Sequence, residues 1–268
     1  MIIDSHTHIY PDKVAGIVQQ MMESQRGERL FGRMTTQALL KSMDQNGIDA
    51  SVIFCIAEKP SVVKPANDFL LNTCDGKKLI GLGTIHPDFE DYKDEIDRLR
   101  KGGIRGIKVH SYFQNCRPDE ERMFRIYEAL GEDMMVYFHS GAIGKAFATS
   151  GVVPSAPNTI ARVLEAFPRL KVVAAHFGGL HMLEEARKHL LGKNLYFDTC
   201  WTPDINLLDK KVIADIIKEH GSDKVLFATD FPFGEVKKPL EWIRDLPVSD
   251  EDKKRILGEN AKKLFLEG

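Results

Sequence analysis

The chain has 268 residues, 43% hydrophobic and 28% charged, an ordinary globular composition whose length suits one barrel domain over residues 1–268. A formal net charge of −2 supplies no basic surface for nucleic acid or an anionic membrane, so a small-molecule substrate is the expected partner. Cys55, Cys74, Cys116 and Cys200 form no CxxC pair, and the start MIIDSHTH has no leader pattern, which together predict a reduced, cytoplasmic protein without a membrane span.

Short runs rich in β-branched and aliphatic residues recur at 1–5, 50–56, 79–85, 104–109, 134–138, 171–175, 194–198 and 224–229, and each reads as a strand. SVIFCI and KVVAA are apolar on both faces, as parallel strands covered by helices must be. Between the strands, 92–101, 120–131, 159–167, 182–191 and 208–220 space their apolar residues as amphipathic helices do. Eight strands alternating with helices predict an α/β fold, a (β/α)8 TIM barrel, over a doubly wound sheet, which more often has five or six strands. Two connections exceed what a barrel needs. The first, 9–49, is expected to form a lid or substrate loop and carries Arg26, Arg29 and Arg33; the second, 140–158, is rich in Gly, Ala, Ser and Pro.

Six of the nine histidines, His6, His8, His86, His110, His139 and His176, fall at or just past the carboxyl end of a predicted strand. Parallel barrel strands bring those ends to one rim. Residues i and i+2 of a strand share a face roughly 6.6 Å apart, so His6 and His8 can close on one ion at bond lengths of about 2.1 Å. His139 ends strand 5 and Asp230 ends strand 8. Three imidazoles and a carboxylate predict one divalent metal ion, zinc first, with Mn2+, Fe2+ or Co2+ also compatible. A lone histidine is more often a satisfied core residue, but several strand ends with ligand-type side chains favour the ion.

The ordered pieces DSHTH (4–8), GIKVH (106–110), FHSG (138–141), AHFGG (175–179), ATDFP (228–232) and GENAKKLF (258–265) resemble the amidohydrolase superfamily. The likeness is to its amidohydrolase-related branch, which includes aminocarboxymuconate semialdehyde decarboxylase and the resorcylate-type decarboxylases. That resemblance implies that His6, His8, His139 and Asp230 are the metal ligands and that His176 is a proton-moving catalytic residue. It implies that Lys108 and His110, on strand 4, help bind an anionic substrate, Lys108 either as a free ammonium or as a carbamylated bridge between two ions. It also implies a homodimer and a structural role for Asn260.

Other residues have plainer readings. His86 precedes Pro87 and suits a turn as well as the rim. Cys55 and Cys200 are expected to be core packing, and the three arginines a solvated face. His181, His189 and His220 are expected on helices away from the rim.

The expected reaction is hydrolysis of a small amide, lactone or ester, with a metal-activated water giving its proton to Asp230 and the metal or His176 polarising the carbonyl. The alternative is non-oxidative decarboxylation of a hydroxyaromatic or unsaturated acid. A catalytically silent barrel is the third reading, and retained ligand types speak against it.

Overall fold

The computed structural model describes residues 1–26, 29–144, 148 and 153–267, leaving aside the side chains of Gln25 and Arg26. The reading of Arg26, and residues 145–147 and 149–152 of the second long connection, lie outside the described residues. Among the described residues, eight parallel strands alternate with helices. In order these are β1 (Ile3–His8), α1 (Asp12–Arg26), α2 (Thr36–Asn46), β2 (Ala50–Phe54), α3 (Val63–Thr73), β3 (Leu79–Leu82), α4 (Tyr92–Lys101), β4 (Gly106–Val109), α5 (Glu121–Leu130) and β5 (Met135–Phe138). Then follow α6 (Pro157–Ala166), β6 (Lys171–Ala174), α7 (Leu183–Leu190), β7 (Tyr196–Asp198), α8 (Lys210–His220), β8 (Val225–Leu226), α9 (Lys237–Arg244) and α10 (Asp250–Lys254). The 9–49 connection therefore holds two helices. None of the helices is long and apolar enough to cross a membrane, among the described residues.

By backbone contacts the chain divides into two compact units, one of Met1–Cys55, Asn72–Ile80 and Thr199–Gly268, the other of Ile56–Leu71 and Gly81–Asp198. In the first, β1 pairs with β2 from Ile3↔Ala50 to His8↔Phe54, with a register shift between Asp4 and Thr7. On the other edge of β1, Ser5 N donates to Phe227 O, Asp230 N to His6 O and His8 N to Phe231 O. This second ladder carries the strand through His8 instead of ending it at residue 5, because it engages the backbone of both histidines. The shift changes which side chains face the same way, and it falls beside the histidines. Ile3, Phe54, Leu226 and Ile256 are wholly buried around it. Asn260 donates to Ser222 O and Val225 O at 2.7 and 2.8 Å, the structural role expected of it. At Gly258 a Cβ would stand 2.3 Å from Met1 O, so only glycine lets the carboxyl-terminal segment approach β1.

In the second unit, β4, β5, β6 and β7 pair in that order, aligned from Gly106↔Met135 and Met135↔Lys171. The side chains of β4 and β5 are buried on both faces, as a covered parallel sheet requires. Ile96 and Leu99 of α4 and Met123, Ile126 and Leu130 of α5 are apolar at helical spacing and have essentially no exposure.

Candidate active site

The first unit gathers three donor atoms. His6 Nε2 and His8 Nε2 are 3.0 Å apart, and each lies 3.3 Å from Asp230 Oδ1. Ligands of one ion at about 2.1 Å are separated by roughly 3.0–3.4 Å for right-angle to tetrahedral geometry, so this triangle has the size of a divalent-metal face. All three residues are buried, Asp230 at 7% exposure. Phe54 and Phe233 stand edge-on to the His8 ring at 5.5 and 5.7 Å, giving the triangle apolar walls. The residues therefore fit a divalent ion by donor type, spacing and burial.

Two partners that the sequence did not mark hold this triangle. Asp4, 2% exposed, accepts from His6 N at 3.2 Å, Thr229 N at 3.0 Å and Thr229 Oγ1 at 2.6 Å, tying the start of the HxH segment to the residue before Asp230. Cys200 Sγ lies 3.3 Å from His6 Nδ1, on the ring edge opposite the triangle. Cys200 therefore touches a ring nitrogen of His6 as well as filling the core. Asp230 has φ +62°, a left-handed conformation uncommon outside glycine and concentrated at functional sites.

The second unit gathers the remaining predicted residues. His176 Nε2 is 3.1 Å from His139 Nδ1, and His110 stacks between Phe113 and His139 at centroid distances of 3.9 and 4.3 Å. Lys108 is wholly buried, its Nζ 4.6 Å from the centroid of Tyr137. Tyr137 Oη donates to Asp198 Oδ2 at 2.6 Å, and His176 N donates to Asp198 Oδ1 at 2.7 Å. His110 N donates to Gln114 Oε1 at 2.9 Å, while Gln114 Nε2 donates to Ile85 O, so the turns after β3 and β4 are held together.

The plainer readings are resolved by contacts. His86 Nδ1 accepts from Asp88 N at 3.1 Å, a turn role, and burial lowers its pKa. The Cys55 thiol is pushed up to about 12 by burial and is inert at neutral pH. Arg29 and Arg33 are exposed, with Arg29 lying over the Phe31 ring at 5.0 Å. His181 sits in the turn before α7, not on a helix.

The parallel α/β fold and a buried two-histidine, one-carboxylate group that could hold a metal ion suit the amidohydrolase class, and the chain belongs to the amidohydrolase family, whose model matches residues 3–266. Among curated proteins it is 36% identical over 55 residues to gamma-resorcylate decarboxylase of Polaromonas sp., covering 20% of this chain and 17% of that protein. It is 24% identical over 201 residues to gamma-resorcylate decarboxylase of Rhizobium radiobacter, covering 67% of this chain and 54% of that protein. The matched region thus spans about half or less of these relatives. Among solved structures, 5-carboxyvanillate decarboxylase of Novosphingobium aromaticivorans, complexed with manganese and 4-hydroxy-3-methoxy-5-nitrobenzoic acid, superposes with a TM-score of 0.76 at 19% identity, covering 99% of this chain and 96% of that one. At that identity the likeness carries the fold, the (β/α)8 barrel.

These similarities overturn the expectation of a hydrolase, because the relatives are decarboxylases. The physical reason is that histidine and carboxylate ligands serve both reactions and do not determine which bond is broken.

Proposed function

We propose that this chain is a metal-dependent, non-oxidative decarboxylase of a small hydroxyaromatic carboxylic acid, working as one catalytic domain. The observation that carries the reading is the His6–His8–Asp230 donor triangle in a family whose matching relatives decarboxylate resorcylate. His6, His8 and Asp230 would hold one divalent ion, with His139 as the fourth ligand supplied by the FHSG motif. The donor set suits manganese, the ion bound by the 5-carboxyvanillate decarboxylase, as well as zinc. When bound, the ion supplies the positive charge that anchors a carboxylate and its neighbouring hydroxyl.

The protein side of the reaction is a matter of one proton. The ring carbon bearing the carboxylate gains a proton, the bond to the carboxyl carbon breaks, its electron pair returns to the ring and CO2 leaves. Asp230 and His176 are the groups that hold and move this proton. Lys108 and His110 lie two residues apart on or just after β4 and serve the substrate anion, Lys108 through the field of a buried cation in a low-dielectric surround. The free thiols suit a reducing cytosol, and the family resemblance suits a homodimer.

The test is CO2 release from 2,6-dihydroxybenzoate and 5-carboxyvanillate by protein loaded in turn with Mn2+ and Zn2+, beside a panel of lactones and amides. Turnover of a hydroxybenzoate that chelation abolishes is expected. Lactone or amide cleavage without CO2 release would sink the proposal.

A further inference from the structure

His176 and Phe177 have φ of +60° and +50°, two consecutive non-glycine residues in the left-handed region. Such a pair persists only where its surroundings over-determine it. Three contacts meet there. His176 N donates to the wholly buried Asp198 at 2.7 Å, and the other oxygen of Asp198 accepts from Tyr137 at 2.6 Å. The Nζ of the buried Lys108 lies over the Tyr137 ring. The next residue, Gly178, has φ +80°, and a Cβ there would meet Phe197 Cε1 at 2.5 Å, so the turn is pressed against β7 just before Asp198.

We infer that Asp198 is a positioning residue for His176, its carboxylate clamping the His176 amide so that the strained turn aims the imidazole at His139. Tyr137 fixes the rotamer of Asp198 through its second oxygen, and Lys108 holds the Tyr137 ring. A carboxylate suits the clamp because it accepts from two donors at once and does so more strongly than a neutral group. Asp198 meets the His176 peptide through one oxygen and the Tyr137 hydroxyl through the other, and the role inferred for it is to aim the imidazole through the backbone.

The experiment compares Asp198→Ala, Asp198→Asn and Tyr137→Phe in the metal-loaded full chain. Hydrogen exchange at the His176 amide is read residue by residue, beside kcat and KM for CO2 release. The activity arm rests on the proposed decarboxylation; the exchange arm does not, so a failure of that reading leaves the clamp testable. Asp198→Ala is expected to speed exchange at His176 at least tenfold while Val172 and Val173 keep their rates. It should lower kcat by about 10–100-fold with KM nearly unchanged, a range typical of lost ligand-orienting partners. Asp198→Asn should fall between, and Tyr137→Phe should lose less. Where Asp198→Ala fails to fold, Asp198→Asn carries both readouts, with several-fold faster exchange expected. Unchanged exchange at His176 overturns the inference. So does an equal loss of kcat in an Ile126→Val variant brought to the same fractional unfolding by temperature, which would make the effect one of general stability.

Discussion

Replacing Asp4 by alanine tests how much of the donor triangle depends on a buried side chain outside it. The substitution removes the acceptor of His6 N, Thr229 N and Thr229 Oγ1, all in a site with 2% exposure at Asp4. A buried donor left without an acceptor costs about 1–3 kcal/mol. The Thr229 hydroxyl can rotate toward another group, whereas the two backbone donors cannot, and the 3.2 Å bond to His6 N is the weaker of them. The expected total is about 3–5 kcal/mol, which for a chain of this length lowers Tm by roughly 6–20 °C. Because Asp4 links the segment bearing His6 to the residue before Asp230, metal affinity should also fall, by about 10–100-fold. Melting followed by circular dichroism, with and without chelator, separates the two effects, and titration with Mn2+ reads the second. A chelated Tm within about 3 °C of the parent together with unchanged Mn2+ binding would refute the bracing role.

The triangle itself predicts that Asp230→Ala, which leaves two imidazoles 3.0 Å apart without their carboxylate, purifies with substoichiometric metal by elemental analysis; full occupancy would contradict the ligand assignment. Gly141→Ala places a Cβ 2.2 Å from Leu180 N at φ +89°, and should destabilise by more than about 3 kcal/mol in a denaturant melt, the range of severe overpacking and strain. Burial pushes the Asp119 carboxyl up, but hydrogen bonds from Arg117 and Arg162 more than offset it, so its pKa lies below the ordinary carboxylate value. Its stabilisation is therefore complete above the unfolded pKa of about 3.9 and is lost as pH falls through the folded value. Asp119→Asn should accordingly be destabilised relative to the parent at pH 7 and converge with it in acid, as read by urea melts across that range.

How far the sequence could be read follows from the reach of each signal. His6 and His8 are two residues apart, and strand geometry alone predicts that they can meet. Asp4 and Thr229 are 225 residues apart, and their bond exists only because the edge of β1 pairs with the segment after β8. Nothing in the DSHTH motif marks its aspartate as an acceptor, and nothing in YFDTC marks Asp198 as the partner of His176. Cys200 reads as core packing because a thiol in an apolar run usually is. The reaction is illegible in the sequence for a related reason, since ligand types are written in the motifs whereas the choice of scissile bond depends on the groups around the substrate.

The amino-acid order alone determined the alternation of strands and helices and the kinds of donor at the strand ends, because periodicity and residue chemistry are local properties. The chain pairing decided the rest: the extension and register shift of β1, the left-handed Asp230 and His176, and the two aspartates that brace them. Those features arise from hydrogen bonds between residues distant along the chain, which only tertiary contact can bring within reach.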